Sequence, residues 1–167
     1  MNSIKELISE KELNTRIKEL ALKIEEDYEN KQIVVICVLK GSVYFTSDLT
    51  KYIKNEMELE FIRVSSYSGT ESSGKIELKQ DLDSDIKNKD VIIIEDIIDT
   101  GRTLFYLKEH LLKRNPNSLK ICTLLDKKEK RVMDIEADYV AFDIPDKFVV
   151  GYGLDIDERY RNLPYIG

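Results

Sequence analysis

Apolar residues occur along this chain in two patterns, short continuous runs and runs at helical spacing. Residues 33–39, 91–94 and 120–125 are apolar at almost every position, which is typical of strands whose two faces are both covered by helices. Residues 58–64, 76–80 and 139–143 predict further strands. Apolar residues three and four positions apart predict helices within residues 1–30, after residue 45 and after residue 104. This order predicts an α/β fold with an open, mostly parallel sheet flanked by helices.

Local signals set the ends of two predicted helices. Ser9 and Glu12 have the spacing of a capping box at the start of the first helix. Asn115 and Pro116 end the helix that follows residues 91–94. Because the chain has 167 residues and neither an internal repeat nor a Pro/Gly-rich linker, we expect a single domain over residues 1–167.

Composition narrows the classes of function. The net charge of −6 argues against a nucleic-acid-binding protein that relies on a basic surface, although local cations can still serve a phosphorylated ligand. Residues 1–14 are charged throughout, and no run approaches the roughly 18 apolar residues of a membrane helix, so we expect a cytoplasmic protein without a membrane segment. Cys37 and Cys122 lie in apolar runs and are expected to be buried thiols in a reducing compartment. His110, the single histidine, is expected at the surface without a catalytic role, and a structural zinc site is not expected.

Polar residues follow three of the predicted strands directly. Lys40-Gly41 comes after residues 33–39, three acids and a Thr-Gly-Arg-Thr turn come after residues 91–94, and Asp126-Lys127 comes after residues 120–125. Open parallel sheets bind ligands at the carboxyl ends of their strands. We therefore expect these segments to meet in one site.

The segment that follows residues 91–94 has the composition of a sugar-phosphate site. The turn at residues 99–103 opens a helix with short side chains and a glycine, which lets backbone N–H groups approach a phosphate. An ordinary helix N-cap is an equally good interpretation of the turn alone. Glu95 and Asp96 are two adjacent carboxylates at the predicted end of a buried strand. They would need a cation, hydrogen-bond donors or a hydroxylated ligand, unless the strand end is solvated.

VIIIEDIIDTGRTL (91–104) resembles the phosphoribosyl-diphosphate-binding motif of the type I phosphoribosyltransferases. Four further segments are similar to the hypoxanthine-guanine phosphoribosyltransferases, so that the resemblance runs from about Val34 to Gly167. They are VLKGSVYF (38–45), IRVSSYSGTESSG (62–74), LLDKKEKR (124–131) and IPDKFVVGYGLDIDERYRNLPYIG (144–167). The last segment is the most diagnostic, because orotate and adenine members of the superfamily lack it.

The resemblance implies a fold and an activity. The fold is that of the type I phosphoribosyltransferases, with a core over about residues 30–142 and a small hood formed by about residues 1–12 and 143–167. The activity is Mg²⁺-dependent transfer of a phosphoribosyl group from 5-phospho-α-D-ribose 1-diphosphate to hypoxanthine or guanine, in purine salvage. The protein is then expected to be a homodimer or homotetramer with small-molecule substrates and no nucleic-acid partner.

The resemblance also implies roles for individual residues. The residues implied for the 5′-phosphate are Asp99, Thr100, Gly101, Arg102 and Thr103. Glu95 and Asp96 are implied for the ribose hydroxyls and, together with Asp155, for the metal ion. Asp99 is also the implied general base. The residues implied for pyrophosphate are Lys40, Gly41 and Arg161, with a cis peptide bond before the lysine. Those implied for the purine side are Lys127, Phe148, Val149 and Asp155, and those for a mobile loop are Ser66 and Tyr67.

Less specific interpretations of the same residues stay open. Lys127 would be an ordinary exposed lysine of a basic run, and Arg161 would be a charged tail residue. Residues 148–150 would form a core strand, and residues 65–75 would form a surface loop without a role. At the level of the whole protein the alternatives are a phosphoribosyltransferase for xanthine or uracil, a non-catalytic nucleotide-sensing regulator, and a structural α/β domain.

Overall fold

The computed structural model describes residues 4–66 and 75–167. Along these residues the helices and strands follow one another as α1 (Glu10–Asp27), β1 (Ile33–Leu39), α2 (Val43–Lys51), β2 (Met57–Ser66), β3 (Ile76–Gln80), β4 (Asp90–Ile98), α3 (Arg102–Leu112), β5 (Ser118–Asp126) and β6 (Tyr139–Asp143). A single 3₁₀ turn, Lys128–Lys130, lies between β5 and β6.

The six described strands form one sheet in the order β3-β2-β1-β4-β5-β6. All neighbours are parallel except β3, which runs antiparallel to β2. The predicted mostly parallel sheet is therefore confirmed. The predicted alternation is incomplete, because no helix separates β2 from β3 in the described residues and only the 3₁₀ turn precedes β6.

The central strands bury both of their faces, because successive side chains of a strand point to opposite sides of the sheet. Val35 and Ile92 belong to a core beneath α1 and α2, whereas Val34 and Ile93 belong to a second core beneath α3. The apolar runs of β1 and β4 are thus continuous because each strand contributes side chains to both cores.

The N-terminal helix begins later than expected. Ser9 caps α1, and its side chain and that of Glu12 make the reciprocal bonds of a capping box, as predicted. The prediction of helix from the start of the chain is wrong for residues 4–9, because Ile8 pairs antiparallel with Ile166. The two segments of the predicted hood are in contact through this pairing.

Arg16 of α1 lies over the edge strand β6. Its Nε donates to the carbonyl of Ala141 and its Nη2 to that of Val140, both at 2.8 Å. The guanidinium group therefore occupies two carbonyl groups at the sheet edge. None of the helices in the described residues has the length and apolarity that a membrane crossing requires.

His110 makes side-chain contacts that the prediction of a surface position did not include. The histidine is half-buried, with Nε2 3.1 Å from both carboxylate oxygens of Asp81, and its ring stacks on Tyr106 at a centroid distance of 6.1 Å. Asp81 directly follows β3 and also pairs with Arg114. The helical pattern around His110 could not reveal this contact, because the partner lies 29 residues away in sequence.

Candidate active site

The polar residues that follow the strands meet at the carboxyl edge of the sheet, as expected. A cleft of about 850 Å³ lies there. The candidate residues that line it are Gly41, Ser66, Glu95, Asp96, Asp99, Thr100, Gly101, Arg102, Thr103, Asp155 and Arg161. Segments that are far apart in sequence thus contribute to one concave surface.

The acidic pair lies within β4 and not at its end. The prediction that the strand stops before the acids is wrong, because parallel pairing with β5 continues from Glu95 opposite Thr123 to Ile98 opposite Asp126. Glu95 is buried and Asp96 half-buried. Burial, followed by repulsion from Asp96, raises the pKa of Glu95 well above its ordinary value, and burial likewise raises the pKa of Asp96. The pair is therefore suited to share a proton, or to face a cation or hydroxyl groups.

The loop between β1 and α2 lies against this pair. The Leu39–Lys40 peptide bond is cis, as the resemblance implied. A Cβ atom added at Gly41 would overlap Oδ2 of Asp96, so only glycine allows the loop to approach so closely. A Cβ at Gly153 would in turn overlap the carbonyl oxygen of Gly41. Two glycines thus bring the C-terminal segment, the loop and the acidic strand into contact.

The turn over residues 99–103 joins β4 to α3. Gly101 immediately precedes the helix and has a φ of +87°, a conformation that glycine adopts readily. Helix α3 begins at Arg102, so its first amide N–H groups have no partners within the helix and lie at the cleft. Gly101 has no side chain that could cap the helix, and the amide of Arg102 donates to Oγ1 of Thr100 at 3.4 Å. Amide groups at the start of a helix suit an anion, so the turn is compatible with both interpretations that the sequence left open.

Arg131 binds the backbone of the turn over residues 99–103, a contact that was not predicted from the sequence. Its Nε donates to the carbonyl of Asp99 at 3.3 Å, its Nη1 to that of Ile135 at 2.7 Å, and its Nη2 to the carboxylate of Asp126. The amides of residues 132 and 133 both donate to the carbonyl of Thr100. The sequence shows the basic run 127–131, but it does not show which of these basic side chains are buried in the folded protein.

Lys127 lies at the end of β5 and reaches Asp99. Its ammonium nitrogen is 3.5 Å from Oδ1 of Asp99, and the lysine is only 6% exposed. The interpretation of Lys127 as an exposed lysine is therefore wrong. Within the described residues Oδ1 of Asp99 is buried and accepts no hydrogen bond. The buried ammonium group and the 47% exposed carboxylate side chain thus form one polar contact beside the turn over residues 99–103.

The C-terminal segment brings further charge to the cleft. Nη2 of Arg161 lies 3.5 Å from Asp155 and 3.1 Å from Glu158, and Nζ of Lys40 lies 3.0 Å from the same Glu158. Arg161 also donates to the carbonyl of Gly153. Arg161 is therefore half-buried and bonded, and the interpretation as a free tail residue is wrong. Glu158 is a cleft residue that the sequence reasoning missed.

The candidate purine-side residues are not all brought to the cleft. Phe148 is 75% exposed and Val149 is buried, and neither lines the cleft formed by the described residues. Residues 148–150 form no strand, so the interpretation as a core strand is wrong, although Val149 and Val150 are buried. Ser66, the last residue of β2, lines the cleft. Tyr67 lies outside the described residues.

Comparison with known proteins places the chain in a family. A model of the phosphoribosyl transferase domain matches residues 3–157. A hypoxanthine-guanine phosphoribosyltransferase of Streptococcus thermophilus (strain CNRZ 1066) is 52% identical over 162 residues, which cover 96% of this chain and 90% of the relative.

Solved structures agree with this assignment. The structure of a hypoxanthine-guanine phosphoribosyltransferase from Bacillus anthracis, with a HEPES molecule in its active site, is 53% identical with a TM-score of 0.94 and covers 99% of this chain and 98% of that chain. The hypoxanthine phosphoribosyl transferase of Trypanosoma cruzi, solved to define how its C-terminal region affects oligomeric state and enzymatic activity, is 43% identical with a TM-score of 0.91 and covers 97% and 89% of the two chains. With a matching family model, 43–53% of its residues identical to these relatives and the same fold, the chain belongs to the hypoxanthine-guanine phosphoribosyltransferases.

Proposed function

We propose that the protein transfers the phosphoribosyl group of 5-phospho-α-D-ribose 1-diphosphate to N9 of hypoxanthine or guanine. The products are IMP or GMP and pyrophosphate, so the enzyme serves purine salvage. The observation that carries this proposal is the contact between Asp99 and Lys127 beside the anion-binding turn. It sets a proton acceptor and a hydrogen-bond donor next to the place where a sugar phosphate would bind.

The turn and the acidic pair would hold the sugar phosphate. The backbone amides at the start of α3 and the hydroxyl groups of Thr100 and Thr103 would bind the 5′-phosphate. Glu95 and Asp96 would accept hydrogen bonds from the ribose hydroxyls. All of these residues line the same cleft.

Magnesium fits the donors that the cleft provides. No group of three histidine, cysteine, aspartate or glutamate side chains suited to a metal occurs in the described residues. Mg²⁺ commonly binds through only one or two carboxylates together with water and substrate phosphates. Asp155 and the Glu95–Asp96 pair are oxygen donors in one cleft, and we propose that they hold the ion. When bound, Mg²⁺ would neutralise charge on the diphosphate.

Asp99 and Lys127 would act on the purine. As N9 attacks C1′ and the bond from C1′ to the diphosphate oxygen breaks, the Asp99 carboxylate would accept a proton at N7. The ammonium group of Lys127 would donate to O6, which favours a 6-oxopurine over the 6-amino group of adenine. The exposed ring of Phe148 would stack on the base, and the backbone of Val149 would contact the edge of the purine.

The loop between β1 and α2 and the C-terminal segment would bind the leaving group. Lys40, the amide of Gly41 and Arg161 would contact the pyrophosphate, since cations there offset its developing charge. Ser66 and Tyr67 would close over the reacting atoms and keep water away from the sugar centre.

Steady-state turnover with hypoxanthine, guanine, xanthine and adenine tests the proposal, with and without Mg²⁺. We expect turnover of hypoxanthine or guanine, loss of activity without Mg²⁺, and no turnover of adenine. Preferred use of adenine would refute the assignment of Lys127. The same preparation tests two further proposals: a homodimer or homotetramer, by light scattering, and a cytoplasmic location consistent with the buried free thiols of Cys37 and Cys122, by cell fractionation.

A further inference from the structure

The side chain of Glu158 contacts both cations that we assign to pyrophosphate. Its Oε2 lies 3.0 Å from Nζ of Lys40, and its Oε1 lies 3.1 Å from Nη2 of Arg161. Lys40 and Arg161 lie far apart in sequence, and this one carboxylate, which lines the cleft together with Arg161, contacts both of them. Each carboxylate oxygen therefore occupies a position that a diphosphate oxygen would need.

A tight turn presents Glu158 to the two cations. The backbones of Ile156 and Arg159 exchange hydrogen bonds of 3.1 and 2.9 Å, and the two residues between them, Asp157 and Glu158, have φ angles of +51° and +67°. Positive φ at two successive central residues is the geometry of a type I′ hairpin turn, which usually contains glycine or asparagine. The amide of Glu158 also donates to Oδ2 of Asp155 at 2.8 Å. The turn is thus held in a conformation that its residues adopt only when their surroundings require it.

The neighbouring residue shows that the contact is specific. Asp157 carries the same charge on the same turn and is exposed. Within the described residues Asp157 makes no ion pair with Lys40 or Arg161, whereas Glu158 pairs with both. Hydrogen bonds to the two cations also lower the pKa of Glu158.

We propose that Glu158 is a positioning residue which acts as the resident counter-anion of the pyrophosphate site. It holds Lys40 and Arg161 in place when the site is empty, is displaced when a diphosphate binds, and returns as pyrophosphate leaves. This inference rests on the proposed role of Lys40 and Arg161. Its consequence is weaker binding of pyrophosphate than the two cations alone would give, and therefore easier release of the product.

The size of the effect follows from the exposure of the contacts. The side chains of Glu158 and Lys40 are 61% and 46% exposed, and exposed ion pairs contribute little to stability. This pair and the pair with Arg161, whose side chain is 20% exposed, must both be broken for each diphosphate bound. Glu158→Gln should therefore tighten the binding of inorganic pyrophosphate by about three- to ten-fold. It should lower the KM for the diphosphate substrate by a similar factor.

Calorimetric titration with inorganic pyrophosphate and MgCl₂ tests this inference. The proteins compared are the wild type, Glu158→Gln, the matched control Asp157→Asn, and Lys40→Met. We expect tighter binding for Glu158→Gln, an unchanged affinity for Asp157→Asn, and weaker binding for Lys40→Met. A gain in affinity cannot come from damage to the fold, and the control excludes a general effect of one lost negative charge.

Each failure has a separate meaning. Unchanged or weaker binding by Glu158→Gln, together with weaker binding by Lys40→Met, would overturn the counter-anion and leave the proposed pyrophosphate site intact. Equal tightening by Asp157→Asn and Glu158→Gln would also overturn it, because the effect would then be one of net charge. Wild-type affinity in Lys40→Met would refute the pyrophosphate site, and the inference with it.

Discussion

Replacing Arg131 by methionine tests how the anion-binding turn is held. The side chains of Arg131 and Asp126 are 15% and 3% exposed, so the change leaves a buried carboxylate without its partner. Removing one member of a buried pair costs about 3–5 kcal/mol of the free energy of unfolding. The carbonyl groups of Asp99 and Ile135 lose a charged donor as well. We therefore expect a loss at the upper end of that range.

Denaturant unfolding followed by far-UV circular dichroism measures the loss, since the chain has no tryptophan. The double variant Asp126→Asn/Arg131→Met should recover part of it, because burying an amide costs less than burying a charge. Arg159→Met, which removes an exposed arginine, is the matched control and should unfold like the wild type. The KM for 5-phospho-α-D-ribose 1-diphosphate should rise in Arg131→Met because the turn is no longer fixed. If Arg131→Met lost less than about 1 kcal/mol, well below the usual cost of an unpaired buried charge, the reasoning would be refuted.

Three other substitutions test other parts of the site. Asp99→Asn should keep substrate binding but lower kcat by about 10²- to 10⁴-fold, the usual contribution of a general base, and wild-type turnover would exclude that role. Gly101→Ala should cost about 1–3 kcal/mol, because its φ is positive and its Cβ would meet Ile135; an unchanged melting temperature would contradict this. The raised pKa of Glu95 keeps a proton in the folded state that the unfolded chain releases, so in metal-free buffer the free energy of unfolding should fall as the pH rises above 4.5. Glu95→Gln should flatten this dependence of the free energy of unfolding on pH. Equal slopes for the variant and the wild type would show that the Glu95 carboxyl is already ionised in the folded protein.

The sheet could be predicted well because each strand is marked by a pattern of apolar residues within its own segment of the sequence. The apolar runs of β1 and β4 are continuous because both faces are covered, and the returning strand 76–80 has the bounds that were expected. The end of β4 was misplaced because charged residues usually mark a strand end, whereas here pairing with β5 carries the acids inside the sheet. A local pattern therefore shows where a strand is, but not how far a neighbouring strand extends it.

The missed residues share a different cause. Arg131, Glu158 and His110 each act through a partner that the chain brings close only after folding, namely Asp126 with the turn, Lys40 with Arg161, and Asp81. Charged side chains at such positions look like solvated surface in sequence. The resemblance to known relatives pointed to residues that would touch substrate, but not to those that hold these residues in place.

Arg16 has a consequence for how copies of this protein behave toward one another. An open edge strand offers its backbone to any other strand, and proteins often protect such edges with charged side chains. On β6 a single guanidinium group occupies two carbonyl groups. At the opposite edge, β3 is exposed and carries alternating Glu77 and Lys79. Truncating Arg16 would thus free two carbonyl groups of β6, the more apolar of the two edge strands. The change should favour aggregation at high protein concentration even where catalysis is unaffected.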